Sequence, residues 1–350
     1  MNQAYQNIIG ASAEDQRGLF LAAANRFGTT VQNVEKDFWV CWTLDALFHR
    51  LHEGGPRLLF KGGTSLSKGY GLISRFSEDI DVTVFREDIG EAASAEDLEP
   101  LSRRRRNERL DAIKAACQSY INDDLCPELA AIATQTMEAA GKDPANLEVI
   151  PDENDQDRQS LLIRYPSAVE KADYIVPSIK IESGAKSALD PHEDRTIIPY
   201  LTADVPGGDA LAVNGVMTID PERTFLDKVL ILHGLTHYFE TKGALRGDGR
   251  MSRHYYDVHR LVMMPVGEKA CTDDSLIGDC VRHAKLFFYR GNTGLDAAAR
   301  GSFRLQPTKE MLEPLKEDYA AMATMIFGEV PTFEEVLRSV AHAEERLNAA

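Results

Sequence analysis

Between Leu58 and Phe85 the sequence leaves a chain few ways to fold. Leu58-Leu59-Phe60 is a short apolar run of the kind that forms a buried strand, and Gly62-Gly63 ends it. Thr64 to Tyr70 then reads as a short helix closing at Gly69 or Gly71. From Asp79 to Phe85 apolar and polar residues alternate, with Ile80, Val82 and Val84 on one side and Asp79, Asp81 and Thr83 on the other. A period of two marks a half-buried strand. A strand, a glycine turn, a short helix and a second strand are therefore expected in close succession.

The polar side of that second strand carries chemistry. Asp79 and Asp81 lie two positions apart, about 6.6 Å along a strand axis, and leave the same face. Such a pair repels itself unless a cation intervenes, and Mg2+ suits it as a hard ion that prefers oxygen ligands. Paired metals in phosphoryl-transfer sites lie about 3.5 to 4 Å apart, a separation these carboxylates can bracket. Gly62 and Gly63 leave room for a phosphate to approach the backbone. Thr64 and Ser65 add hydroxyls at a helix start, where free amides and the helix dipole favour an anion. Read together, the segment offers a seat for a nucleoside triphosphate and a seat for its metals.

The remainder reads as a mixed chain. Ala11 to Arg50 is helical, with Ser12 and Asp15 resembling a capping box. Glu96 to Gly141 is polar and mostly helical, and contains Arg103-Arg104-Arg105-Arg106, which is either a grip on an RNA backbone or a solvated face. Leu147–Ile150, Ser160–Tyr165 and Tyr174–Glu182 are short strand candidates, expected as an antiparallel meander. After the loop Pro206–Asp209 the chain reads almost wholly helical, ending in a helix capped by Thr332 and Glu335. His233 and His237 share i,i+4 spacing, but nothing nearby completes a zinc set.

Composition narrows the function. The formal charge of −16 argues against an extended duplex-DNA-binding face, though not against a locally basic cleft. The longest apolar stretch, Phe38 to Phe48, is too short for a membrane span and carries Asp45. No secretory signal is visible at the start. Five cysteines without metal spacing suit reduced thiols, so a cytoplasmic location is expected.

The stretch Gly62-Gly63-Thr64-Ser65-Leu66-Ser67-Lys68 leading to Arg75-Phe76-Ser77-Glu78-Asp79-Ile80-Asp81 resembles the AbiEii-type nucleotidyltransferase toxins. These include the MenT-like toxins and form a branch of the polymerase-beta-like nucleotidyltransferase superfamily. The resemblance extends in patches to Glu35-Lys36-Asp37-Phe38-Trp39-Val40, to Ile179-Lys180-Ile181-Glu182 and to helices at Pro221–Lys228 and Ser252–Arg260, spanning roughly residues 34 to 262. The run Gly62-Gly63-Thr64 stands where many members of the wider superfamily have Gly-Ser.

The resemblance implies an α+β protein of two lobes. Residues 1–208 would form a mixed-sheet nucleotidyltransferase lobe with flanking helices and a helical insertion at about 96–141, and residues 209–350 a helical lobe. The cleft between them would take Mg2+ and an NTP. Glu182 is implied as a third metal-directed carboxylate that helps deprotonate the attacking hydroxyl; its other reading is an exposed edge-strand charge paired with Lys180. Lys228 is implied as a triphosphate contact, and Asp257 as its orienting partner or a base, the alternative being a salt-bridge network. Lys68 and Arg253 join the nucleotide-binding set, and Arg253 shares a helical face with Asp257. Ser77 would be a regulatory phosphorylation site, since a dianion beside Asp79 and Asp81 spoils metal binding.

Transfer of a nucleoside monophosphate to RNA, at the 3′ end of a tRNA, is the implied activity. The setting would be a toxin–antitoxin or phage-defence pair whose antitoxin is a winged-helix repressor encoded nearby. A small-molecule or protein acceptor, or an inactive binding module of the same fold, are the competing readings.

Overall fold

The computed structural model describes residues 2–169, 177–245 and 249–349. It divides into two compact units that interleave in sequence. Unit 1 comprises residues 1–70, 76–93 and 107–218, and unit 2 comprises residues 71–75, 94–106 and 219–350.

Unit 1 is built on a seven-stranded mixed sheet. Its strands are β1 (Leu58–Lys61), β2 (Ile80–Val84), β3 (Glu148–Pro151), β4 (Ser160–Arg164), β5 (Ser178–Gly184), β6 (His192–Ile197) and β7 (Val213–Ile219), in the order β3-β4-β5-β2-β1-β7-β6. The meander β3-β4-β5 is antiparallel as expected, although Tyr174 to Val176 lie outside the described residues. β5 joins β2 in parallel, β2 pairs β1 antiparallel, and β7 runs parallel to β1 through Phe60 and Thr218.

One face of this sheet is apolar. Phe60, Ile80, Val82, Val84, Leu161, Ile163, Ile179 and Ile181 are all fully buried. Helices α1 (Gln3–Gly10), α2 (Ala13–Phe27) and α3 (Val31–His49) belong to the same unit. Ser12 caps α2 by accepting the Asp15 N–H, and Thr30 caps α3 by accepting that of Asn33. α3 is buried on nearly every side, which explains why its sequence lacks a clean apolar stripe. Its Trp39 stacks on Tyr165, with ring centroids 5.3 Å apart. The turn after β1 forms α4 (Gly62–Thr64), continued by a π-helical turn at Ser65–Gly69.

Two strands depart from the sequence reading. Val213–Ile219 is β7 and not part of a helical stretch: Val213, Val216, Thr218 and Ile219 are β-branched and buried, and β1 supplies a partner. β6 was not anticipated because it is a charged edge strand, buried only at Ile197.

Unit 2 is helical. It contains α5 (Ala95–Leu98), the start of α6 (Arg103–Ser119), α8 (Pro221–Lys242), α9 (Ser252–Val262), α10 (Pro265–Thr272), α11 (Asp274–Phe287), α12 (Leu312–Ala323) and α13 (Phe333–Asn348); α7 (Cys126–Ala139) lies in unit 1. Thr332 and Glu335 make the expected reciprocal cap of α13, which buries Val336, Val340, Ala343 and Leu347. Residues 71–75 join this unit through a bridge from Arg75 to Ile326 and a bond from the Phe327 N–H to the Ser74 carbonyl at 2.7 Å.

Phe60, fully enclosed at the centre of β1, has no room to be replaced by solvent. Phe60→Ala is expected to lower the unfolding free energy by about 3 to 5 kcal/mol in urea titration.

Candidate active site

The polar face of the unit 1 sheet carries a row of side chains set by strand register. Lys61 on β1 is paired with Asp81 on β2, Asp81 with Glu182 on β5, and Glu182 with Ser160 on β4. Register partners on adjacent strands lie about 4.8 Å apart and share a face, so Asp81 and Glu182 stand side by side. Glu182 is thus on a central strand, with its side chain 45% exposed. Its carboxylate lies 3.1 Å from Lys180 Nζ, and that of Asp81 lies 3.8 Å from Lys61 Nζ.

Asp79 sits just ahead of β2 and not within it. Burial raises its pKa to about 6, and the charges of Glu78, Glu182 and Asp81 push the same way against a single opposing cation, Lys36. Four carboxylates therefore crowd one small region. Among the described residues no three His, Cys, Asp or Glu side chains are already gathered as a metal cage. The donor set nevertheless fits Mg2+, since it consists of hard carboxylate oxygens whose mutual repulsion a cation would relieve.

Gly62 has φ +79°, and a Cβ there would come within 2.0 Å of an Asp81 carboxylate oxygen. The first glycine is therefore required by backbone conformation and by the close approach of Asp81. The Thr64 and Ser65 side chains are buried and turned inward. The Thr64 hydroxyl donates to the Asp79 carbonyl and lies 2.9 Å from the half-buried Ser77 hydroxyl, and Ser65 donates to the Gly62 carbonyl at 2.9 Å. Their hydroxyls hold the turn in shape, which leaves the backbone amides to meet an anion.

Lys68 requires a correction. Its ammonium meets Asp37 Oδ1 at 2.6 Å, donates to the Ile198 carbonyl at 2.7 Å and lies 3.8 Å from the centre of the Tyr200 ring. Only 4% of the side chain is exposed. Burial alone would favour loss of the proton, but the surrounding groups, Asp37 foremost among them, together outweigh it and raise the Lys68 pKa. With its donors engaged inside the protein, Lys68 is a structural cation and not a nucleotide ligand.

That pair belongs to a larger device that the sequence reading left without a role. Glu35, Lys36 and Asp37 are consecutive on α3, all buried, and each grips a different loop. Glu35 accepts from the Ser167 hydroxyl and the Ala168 N–H, both at 2.6 Å. Lys36 pairs with Glu78, the neighbour of Asp79. Asp37 holds Lys68 and accepts from the Tyr200 N–H at 2.7 Å. One helical turn thus anchors the glycine turn, the approach to β2 and two loops beyond.

In unit 2, Asp257 is fully buried and grips two cations. Arg75 donates through Nε and Nη2 at 2.8 Å each, and Lys228 Nζ lies at 2.8 Å. Burial would raise the Asp257 pKa, but Arg75 and Lys228 together hold it well below the usual carboxylate range. A carboxylate so held has little proton affinity and is a poor base, and the three side chains form the salt-bridge network that was the alternative reading. Arg75 was present in the motif without an assigned part, because only the tertiary structure brings it to Asp257. Lys228 itself is nearly enclosed, with 8% of its side chain exposed. Arg253 makes no pair with Asp257; its buried Nε has no hydrogen-bond partner among the described residues, leaving a guanidinium able to take an anion.

Residues 45–339 match the profile of a family described as the nucleotidyl transferase AbiEii toxin, Type IV TA system. In fold, the chain is similar to MenT4, a nucleotidyltransferase toxin from Mycobacterium tuberculosis H37Rv, at 16% identity and a TM-score of 0.50, covering 95% of this chain and 90% of that one. No curated protein matches.

Two measurements test this electrostatic description. Below pH 3.8 Asp79 is neutral folded or unfolded; above about pH 6 it is charged in both states, and the folded state bears the whole cost. In EDTA, Asp79→Asn is therefore expected to be more stable than the parent by about 3 kcal/mol at pH 8, with the difference vanishing near pH 3. Asp37→Asn, which strands Lys68, should cost about 3 kcal/mol in chemical denaturation. Adding Lys68→Met should recover part of that loss.

Proposed function

The chain belongs to the AbiEii nucleotidyltransferase toxin family, and from that premise we propose that it transfers a nucleoside monophosphate from an NTP to a hydroxyl of RNA, at the 3′ end of a tRNA. The observation that carries this reading is the in-register pair Asp81 and Glu182 beside a glycine that must be a glycine.

Asp79, Asp81 and Glu182 are the residues that would hold Mg2+. When bound, the ion neutralises triphosphate oxygens and stabilises the charge that develops on the leaving pyrophosphate. Gly62 and Gly63 keep the turn free of side chains, and the amides opening the helical segment Gly62–Gly69 receive phosphate oxygens. Glu182, the more exposed carboxylate, takes the proton of the acceptor hydroxyl. Arg253 adds a phosphate contact, and Asp257, itself clamped by Arg75, orients Lys228. Ser77, beside Thr64, is where a phosphate would set two negative charges next to the acidic row and switch the site off.

As a family toxin the protein acts in the bacterial cytoplasm, opposed by an antitoxin of winged-helix type encoded alongside, in phage defence. Its formal charge of −16 favours a second reading in which the acceptor is a small molecule or a protein. Incubation with each α-labelled NTP, Mg2+ and total RNA separates the two. Label in RNA supports the first reading; label only in another acceptor overturns it. Asp81→Asn should reduce labelling by roughly a hundredfold or more, the equivalent of several kcal/mol of lost charge stabilisation. Full activity in a folded Asp81→Asn protein would refute the metal assignment.

A further inference from the structure

Within unit 2 the run Arg103-Arg104-Arg105-Arg106 opens the seventeen-residue helix α6. Cations belong at helix C-termini, because the N-terminal end of the dipole is positive, and this helix has no acid in its first turn. The acids just before the helix have partners of their own. Glu96 and Glu99 on α5 are both engaged by Arg282, and Asp97 closes the Ser94 capping box. Arg103, Arg105 and Arg106 have no ion-pair partner among the described residues, and Arg103 and Arg105 are exposed. Cations that break a local rule and have no ion pair among the described residues, as Arg103 and Arg106 do, are where an external partner is expected.

The surroundings identify that partner. Arg103 and Arg106 are three apart and so share a side of the helix. The Arg103 guanidinium lies 5.5 Å from the centre of the Tyr289 ring, and the charges of both arginines act on that tyrosine's hydroxyl. The hydroxyl donates to Asp296 at 2.7 Å, which fixes the ring in place. On either side stand Phe288, 48% exposed, and the exposed Arg290. Unpaired guanidinium groups interleaved with aromatic rings match a single-stranded nucleic acid, whose phosphates take the cations and whose bases stack on the rings.

We propose that Arg103 and Arg106 together with Tyr289 form a landing surface for the single-stranded end of the acceptor RNA. The proposal rests on the reading of RNA as acceptor and adds where unit 2 takes hold of it.

The test uses the full chain, a fluorescein-labelled single-stranded oligoribonucleotide and deacylated tRNA, in anisotropy titrations over a range of salt. Arg103→Gln/Arg106→Gln should weaken binding about tenfold or more and flatten the slope of log K against log salt by about 1.4, two phosphate contacts at ~0.7 each. Tyr289→Leu should also weaken binding about tenfold, while Tyr289→Phe keeps the ring and the affinity. In transfer assays the arginine variant should raise KM for RNA and leave KM for NTP unchanged. Its melting temperature should hold or rise, since two misplaced cations have left the positive end of a helix; a merely structural run would lower it.

Unchanged RNA affinity and salt slope in the double variant overturn the surface, even if that variant no longer captures an acidic protein. A parent protein that labels RNA with the variant's KM overturns the surface alone. A parent that ignores RNA and labels another acceptor overturns the acceptor reading and this surface with it.

Discussion

Burying three consecutive charges on one helix is the constraint on which unit 1 depends. α3 sits inside the unit, so Glu35, Lys36 and Asp37 cannot discharge their electrostatic cost into water. Each must find a partner, and the partners are loops that flank the acidic row: Ser167 and Ala168, Glu78, Lys68 with the Tyr200 amide. Removing any one leaves a buried charge unmatched. The same interactions that keep α3 folded therefore set the position of the glycine turn and of the residues before β2.

That rigidity bears on the chemistry because the acidic row is intrinsically unfavourable. Asp79 feels burial, Glu78, Glu182 and Asp81 all acting against its ionisation. A flexible segment would relax by moving the carboxylates apart. Here Thr64 holds the Asp79 carbonyl, Lys36 holds Glu78, and register fixes Asp81 beside Glu182. The repulsion is retained, and a site that retains it is one in which a divalent cation recovers free energy on binding. On the proposed reading, the stability given up in the empty protein would be returned as metal affinity, a trade common at functional sites.

How much of this was legible in the sequence depended on distance along the chain. The alternation of Ile80, Val82 and Val84 and the double glycine are local patterns, and they placed β1, the turn and β2 within a residue or two. Asp79 slipped off the strand because its carbonyl is taken by Thr64, a contact no periodicity encodes. β7 hid behind Asn214 and Gly215, which break its alternation. The partners of Glu35 and Asp37 lie 132 and 163 residues away, and Arg75 lies 182 from Asp257. Such pairings are tertiary by nature. A charged run at a helix start reads the same whether it will face water or the core, which is why Glu35-Lys36-Asp37 carried no assigned role and Lys68 the wrong one.

The acidic balance of the chain looks at odds with an RNA substrate, yet the two operate on different length scales. At physiological ionic strength the Debye length is about 8 Å, so a charge of −16 spread over the whole surface does not act as a single repelling centre. What a phosphate meets is the local set within that radius. Beside Tyr289 that set contains Arg103 and Arg106 with Asp296 as the opposing acid, while Glu96 and Glu99 share Arg282, which offsets one of their two charges. The net charge then works as a filter. On the proposed reading, polyanions would be turned away from most of the protein and held beside Arg103 and Arg106.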